Sequence, residues 1–412
     1  MQYKETARMT AEPSSAMEQV LQGIRVLDLT QNVAGPFCTQ ILGDMGAEVI
    51  KIERTGSGDD TRAWQPPSWG ARSSTFLALN RNKKSLAVDL DTPQGVDIVK
   101  ALARDADVLV HSLKPGSAES RGLGDEALRA LNPALVYCAI SAFGQQGPLR
   151  AQPGYDPLMQ AYTGIMSVTG SEGDPPARVS VSLIDMGTGM WAAMGILAAL
   201  LRVKLTGKGT TVSASLLETG VGWMSILIAN YRASGVLPRR MGTAMAMTAP
   251  YELFQAADGA VFIAAGNDRL FQKVCVALDL EALPRDERYA SNAVRVRNRQ
   301  ALHETIEQRT LALGAADIAR RLQRQGAPCS VLNNVQQMLE SEQVAAVGIM
   351  QELDIQDGDG HQVVGLPFTL DGQRRTRHDA PPELGQHTRA LLDAAGYPAA
   401  SVDDLIARGV IR

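Results

Sequence analysis

Short β-rich apolar runs alternate with stretches of helical period through the first half of the chain. Ile24–Leu29 is one such run, ending at Thr30, and Cys38–Met45 then carries helical spacing before a second run at Ala47–Ile52. The alternation continues with a helix over Pro93–Ala106, a strand at Val108–His111, a helix at Asp125–Leu131 and a strand at Leu135–Ile140. Strands separated by helices of roughly 10–15 residues predict βαβ units around a parallel sheet. Ligands of such sheets bind at loops leaving the carboxyl ends of strands. Here those loops carry Thr30–Asn32, Lys51–Arg62, His111–Ser112 and Ser141–Gly144.

Further along, Met186–Leu201 is an apolar run of 16 residues containing three glycines. It is short for a membrane span and predicts a buried helix, preceded by a strand-like Val179–Ile184. A turn at Thr206–Gly209, a strand at Thr211–Ser215 and one helix over Leu216–Ser234 follow. From Leu237 the character changes. Two β-rich runs flank Asp258-Gly259, a hairpin signal, and helices are predicted at about 268–279, 298–312 and 315–325. The division expected is a disordered tail over 1–19, a first segment of a large domain over 20–225, a smaller α+β domain over 237–335, and a segment over 350–412 that returns to the large domain. There is no internal repeat.

Composition narrows the function classes. The chain has 412 residues, with 40 basic and 44 acidic side chains and a net charge of −4. That balance gives no general attraction to nucleic acid or to an anionic membrane, so neither is an expected partner. Four scattered cysteines form no C-x-x-C pair and no disulfide framework. With no signal-peptide pattern in the polar first 19 residues, a cytoplasmic location is the expectation.

Generic enzyme motifs fail on inspection. Gly187-Thr-Gly189-Met-Trp-Ala192 resembles a dinucleotide fingerprint, but Asp185 would repel a pyrophosphate there, and the next acid is Glu218, well past the ribose-binding position. Gly207-Lys208 is no Walker A loop, there is no G-x-S-x-G elbow, and the five histidines never take metal-ligand spacing. Asp185 remains. Its plain reading is a helix N-cap. Its functional reading is a nucleophile kept ionised by the helix N-terminus, with the Gly187 and Gly189 amides facing a developing oxyanion.

An ordered series of motifs resembles the class III CoA-transferase family. It runs through Gly35-Pro36, Leu42–Ala47, Val49–Arg54, Gly58-Asp59, Thr61-Arg62, Leu79-Asn80 and Asn82-Lys83. It continues through Leu131–Pro133, Ser141–Gly144, Pro153–Asp156, Leu183–Asp185, Gly195–Leu201, Thr206–Gly209 and Ala249–Tyr251, and ends in Gly266–Asp268, Gly326–Pro328 and Leu384–His387. The resemblance covers about residues 20–395 and includes the formyl-CoA:oxalate and crotonobetainyl-CoA:carnitine enzymes. It implies an α/β fold with a Rossmann-like large domain, two domains joined by linkers near 210–240 and 325–360, and an interlocked homodimer. It also implies no tightly bound cofactor, with coenzyme A and acyl-CoA as substrates alongside a small carboxylic acid.

By family position, Asp185 is the catalytic aspartate. It would form a mixed anhydride with the acyl group and then an aspartyl-CoA thioester, splitting one difficult step into easier ones. Val33, Ala34, Arg54, Leu79, Lys83, Ser112, Leu113, Arg121, Tyr155 and Asp156 are the implied CoA-site residues, with Arg54 and Lys83 facing phosphates. Three departures stand out. Ser112-Leu113 occupies the place of a common Asn-Phe, Ser120 that of a common Arg with Arg121 beside it, and Gly242–Ala246 a segment often read Gly-Asn-x-His-Pro. Arg239-Arg240 stands just before that segment and could hold a second carboxylate, or be a surface pair. Two rival functions are an α-methylacyl-CoA racemase, whose histidine base is replaced by Tyr155 beside Asp156, and a CoA-binding protein without turnover.

Overall fold

The structure is a computed structural model that describes residues 15–355 and 361–412. The chain divides into two compact units. The first comprises Met1–Thr163, Ser180–Ile226 and Ala345–Arg412, and the second Gly164–Val179 and Leu227–Val344. Residues 164–179 thus belong with the second unit, although the sequence reading ran the large domain unbroken to 225.

Six parallel strands form the sheet of the first unit: β1 (Arg25–Leu29), β2 (Glu48–Glu53), β3 (Lys83–Ala87), β4 (Val108–His111), β5 (Val136–Ser141) and β6 (Thr210–Ser215). Their spatial order is β3-β2-β1-β4-β5-β6. That is the order of a doubly wound dinucleotide-binding sheet, with its topological switch between β1 and β4. The four central strands are largely apolar on both faces because both are covered. Leu27, Ile50, Leu109 and Tyr137 join one core with Ile98 and Leu102. Their neighbours Val26, Val49, Val110 and Cys138 join the other, with Leu42 and Ile196.

The helices between strands are α1 (Ala34–Asp44), α2 (Pro93–Ala103) and α3 (Asp125–Leu131). Between β5 and β6 come α4 (Asp156–Tyr162) and the 24-residue α5 (Leu183–Thr206), and β6 leads into α6 (Leu216–Trp223) and α7 (Ser225–Ser234). Two expectations are corrected here. Residues 183–184 are the first turn of α5 rather than a strand, and the single helix expected over 216–234 breaks at Met224. By length and composition α5 could cross a membrane. It is not buried all round: Ile184, Thr188, Ala192 and Ile196 face the core, while Met190, Met194, Leu201 and Leu205 face outward.

The C-terminal segment covers the edge strand β3. His387 donates its backbone N–H to Ser85, and Thr388 Oγ1 accepts from Ala87 N at 3.2 Å. Leu391, Leu392, Val402 and Leu405 complete the core on that side. At the other terminus, residues 1–14 of the expected tail lie outside the described residues. Residues 16–19 are not a frayed tail, because they form a helical turn whose Met17 is buried.

The second unit has a three-stranded antiparallel sheet of β7 (Tyr251–Ala256), β8 (Gly259–Ala264) and β9 (Cys329–Val331), ordered β9-β8-β7. The hairpin forms where Asp258-Gly259 predicted it, with Ala257 and Asp258 at the turn and Gly259 already paired to Ala256. Its helices include Asp268–Ala277, Arg299–Thr310 and Ala315–Arg324. Arg295 is fully buried there and donates to the Ala249 and Tyr289 carbonyls and to Asp268 at 2.7–3.0 Å.

Candidate active site

Loops leaving the carboxyl ends of β1, β4, β5 and β6 enclose a cleft of about 230 Å³. This is the place the strand order predicts for a ligand. A larger cavity of about 830 Å³ opens at the amino-terminal strand ends, between residues such as Glu48, Lys84, Glu383 and His387. Its lining mixes both signs of charge and contains no residue of the smaller cleft, so topology and chemistry, not size, single out the latter.

Buried charges hold the β1 loop in shape. Asp28 is inaccessible and accepts from Thr30 N (3.0 Å), Thr39 Oγ1 (2.7 Å) and Lys83 Nζ (3.1 Å). Lys51 Nζ donates to the Thr30 carbonyl at 3.0 Å and pairs with Asp59 at 2.8 Å. Asp59 in turn accepts from the backbone N–H of Asn32, a residue in left-handed conformation at φ 67°. Burial raises the cost of the Asp28 charge, but Lys83, Lys51 and the two threonine hydroxyls prevail and bring its carboxyl down to about 2. Burial dominates at Lys83 and lowers its ammonium to about 8 despite Asp28. The loop is also tied to β4, since Gln31 N donates to Ser112 Oγ at 3.1 Å. His111, at the end of β4, accepts from Leu113 N, and burial lowers its imidazole to about 4, so it serves as a neutral turn acceptor at neutral pH.

α1 starts at this cleft from Val33 with no side-chain cap and no acid in its first turn. α5 starts there too, after Ser182, so Asp185 is its third residue and not its cap. Asp156, the first residue of α4, takes the capping role. Its Oδ2 accepts from Ile184 N at 2.7 Å and from Asp185 N at 3.2 Å. The Asp185 carboxyl lies in the cleft and has no hydrogen-bond or ion-pair partner among the described residues. Burial, and secondarily the negative charge of Asp156, pushes it up to about 7. The expectation that the helix terminus keeps Asp185 strongly ionised is therefore corrected, because Asp156 already occupies that terminus.

Gly187 and Gly189 also act differently from the oxyanion role expected of them. They lie beyond the first turn, where amides belong to the helix ladder. What they supply is close approach. A Cβ at Gly189 would stand 2.5 Å from the Ala34 carbonyl oxygen of α1, and one at Gly187 would stand 2.8 Å from Trp223 of α6.

Of the residues implied by the resemblance, Val33, Ala34, Ser112, Leu113, Tyr155 and Asp185 line the cleft together. The others do not. Lys83 has its ammonium fully buried against Asp28, Asn80 and the Pro36 carbonyl, so it faces no phosphate. Asp156 is 3% exposed and spent on α5. Leu79 is a core residue at the end of a short helix. Arg54 is at the surface, bonded to the Gly58 carbonyl and paired with Asp60. Arg121 pairs with Asp91 at 2.6 Å beside a different surface hollow. Arg239 and Arg240 clasp the 171–174 loop of the second unit, through Glu172 and the Ser171 and Asp174 carbonyls.

Lys114 and Arg150, exposed cations on the cleft wall, and Trp64 also line the cleft and were not among the expected site residues, while Gln31 and Asn32 lie in the strand-end loop expected to meet a ligand. Lys114 had a usable signal, being a cation in the loop directly after a predicted strand. Arg150 sits in an irregular stretch before Pro153 and had none. Among the described residues, no cluster of His, Cys, Asp or Glu is arranged to hold a metal ion.

A doubly wound sheet with an unpaired carboxyl at its switch-point cleft describes a nucleotide-type binding fold. Residues 21–388 match CoA-transferase family III, and the chain belongs to that family. It is 37% identical to succinyl-CoA:glutarate CoA-transferase of Homo sapiens, over 98% of this chain and 92% of that protein. It is 34% identical to acetyl-CoA:oxalate CoA-transferase of Acetobacter aceti, over 95% of this chain and all of that one. A solved CAIB/BAIF family protein from Brucella suis superposes with a TM-score of 0.82 at 35% identity, covering 91% of this chain and 98% of its own. The chain is thus a family III CoA-transferase, and its relatives are named for acyl-CoA thioesters and carboxylic acids.

Proposed function

We propose that the chain transfers CoA from succinyl-CoA to a small dicarboxylic acid, with Asp185 as the nucleophile. The donor and acceptor class follow from relatives named for succinyl-CoA with glutarate and for succinyl-CoA with mesaconate. The observation that carries the mechanism is the unpaired Asp185 carboxyl in the switch-point cleft.

Ionised Asp185 attacks the thioester carbonyl carbon, the C–S bond breaks, and CoA leaves as its thiolate, giving a mixed anhydride. The thiolate then attacks the Asp185 carbonyl, releasing succinate and leaving an aspartyl-CoA thioester. The acceptor carboxylate attacks that thioester and expels CoA thiolate. The thiolate then takes the acceptor's acyl group, which regenerates Asp185. Each thioester is exchanged for another, so no external energy source is needed, and at each anhydride stage the acyl group and the CoA thiolate are held together as intramolecular partners. Lys114 and Arg150 supply positive charge on the cleft wall for an anionic substrate. The reading includes no resident cofactor and a cytoplasmic setting, which the four unpaired cysteines suit.

It also includes a homodimer. Met186, Met190, Met194, Leu201 and Leu205 form one apolar face of α5 that is 38–77% exposed, and Trp191 and Trp223 extend it. A second copy of the chain covering that face would remove a patch that soluble monomers rarely leave open.

Asp185→Asn tests the mechanism. Transfer from succinyl-CoA to glutarate should fall by at least about a thousandfold, as for loss of a covalent nucleophile, while CoA binding by equilibrium dialysis stays intact. With succinyl-CoA present, hydroxylamine should trap an adduct on Asp185 in the unmodified chain only. A variant that transfers at the unmodified rate refutes the mechanism.

A further inference from the structure

We propose that Asp156 is a positioning residue for Asp185: its buried carboxylate closes the amino terminus of α5 and fixes the backbone from which the Asp185 side chain enters the cleft. This rests on Asp185 being the nucleophile.

The first four amides of a helix have no partner within it. In α5 those of Leu183, Ile184 and Asp185 are taken, and Met186 begins the helix ladder. Leu183 N reaches the Val181 carbonyl at 2.7 Å, and Met186 N reaches the Ser182 carbonyl at 2.9 Å. Between them, Ile184 N and Asp185 N both donate to one oxygen of Asp156, 28 and 29 residues earlier in the chain. The other Asp156 oxygen accepts from Gln160 Nε2 within α4. Both carboxylate oxygens are therefore held, in a side chain with almost no exposure. The positive end of α5 is thus neutralised by an internal anion, leaving it unavailable to a substrate anion or to Asp185 itself.

Two consequences bear on the reaction. The nucleophile's own backbone N–H is pinned, so the carboxyl is aimed from a fixed point, and loss of alignment at a reacting centre is costly. The second negative charge beside Asp185 also disfavours its ionisation. The other titratable or charged groups lining the cleft are Lys114, Arg150 and Tyr155, and the elements packed on α5 carry Cys38 and Asp44 on α1, Tyr137 and Cys138 on β5, Tyr162 on α4, and Glu218 on α6, the last bonded to Ser215 Oγ. None of them bonds to the Asp185 backbone.

The decisive variant is Asp156→Asn, which keeps an oxygen for the two amides and removes the charge. The acidic limb of kcat/KM for CoA transfer should move down by about one pH unit. The Asp185 titration, followed by ¹³C-carboxyl NMR and assigned by its loss in Asp185→Asn, should move with it. Asp156→Ala, which also removes the acceptor, should lower kcat by about tenfold to a hundredfold with CoA affinity held within about twofold. An acidic limb and titration left in place by Asp156→Asn would overturn the proposal, as would unchanged kcat in Asp156→Ala. If the chain transfers no CoA at all, the proposed function fails instead, and the NMR titration still decides the role of Asp156.

Discussion

Gly189 couples the fold to the cleft, and replacing it with alanine tests that coupling. The residue lies where α5 crosses α1, and an added methyl would stand 2.5 Å from the Ala34 carbonyl oxygen and 3.2 Å from the Cys38 amide nitrogen. Both obstacles are backbone of a packed helix, so no side-chain rotation relieves them. Reaching ordinary contact requires the helices to part by roughly 1 Å. Alanine gains about 0.8–1 kcal/mol over glycine in a helix interior, whereas overpacking a close contact costs about 1–3 kcal/mol. With rigid backbone on both sides the cost sits at the upper end, for a net loss of about 1–2 kcal/mol. Because Ala34 lines the cleft, the displacement should also raise KM for the acyl-CoA more than it lowers kcat. Urea denaturation followed by circular dichroism, with steady-state kinetics on the same preparations, reads both effects. Gly222→Ala is the control: nothing lies within 4 Å of its Cβ position in α6, so it should stabilise by about 0.5–1 kcal/mol. A Gly189→Ala chain as stable as the unmodified one, with unchanged KM, would refute the reasoning.

Two further predictions concern the buried charges and the exposed face. Asp28 has its folded pKa brought below its unfolded value, so its contribution to stability is present above the unfolded value and is lost as pH falls towards about 2. Asp28→Asn should destabilise the chain by about 3–5 kcal/mol at neutral pH, since Lys83 and Lys51 lose a buried counter-charge. The variant should also show a shallower loss of stability between neutral and acid pH, and equal acid slopes in urea titrations would count against this. Met194→Glu combined with Leu201→Glu places two charges on the outward face of α5. Sedimentation analysis should then show a shift from dimer towards monomer relative to the unmodified chain, and an unchanged sedimentation coefficient would exclude that face as the interface.

The parallel sheet was legible because its central strands are buried on both faces and read as continuous apolar runs between helices of ordinary length. β3 was not. Lys83-Lys-Ser-Leu-Ala87 begins with two cations, and its strand character comes from pairing with β2 and from the cover of the C-terminal segment, both remote in sequence. Asp185 stood out by residue type and by resemblance, but its surroundings did not. A local rule for helix starts looks at the residues immediately upstream, whereas the group that caps α5 comes from the start of α4. Lys83 illustrates the same limit. A lone lysine is ordinarily a surface cation, and only the three-dimensional meeting of Asp28, Asn80 and the α1 carbonyl takes it inside. Val33, Ala34, Ser112, Leu113 and Tyr155, which the resemblance implied together, line one cleft because they lie on or beside strand-end loops.

Two helices begin at this cleft, and their ends are treated in opposite ways. The start of α1 carries no capping side chain and no acid, so its amide dipoles remain directed at whatever anion enters between the β1 and β4 loops. The start of α5 is filled by Asp156 and presents a carboxyl with a raised pKa instead. Had α5 been left open, its dipole would have stabilised the Asp185 carboxylate and lowered its basicity, and with it its nucleophilicity towards a thioester. Had α1 been capped by an acid, any anionic substrate entering that cleft would have met repulsion there. On the proposed function, the same sheet order that elsewhere receives a dinucleotide would hold an anionic thioester against one helix end, while the second helix end, neutralised from within the protein by Asp156, presents the nucleophile.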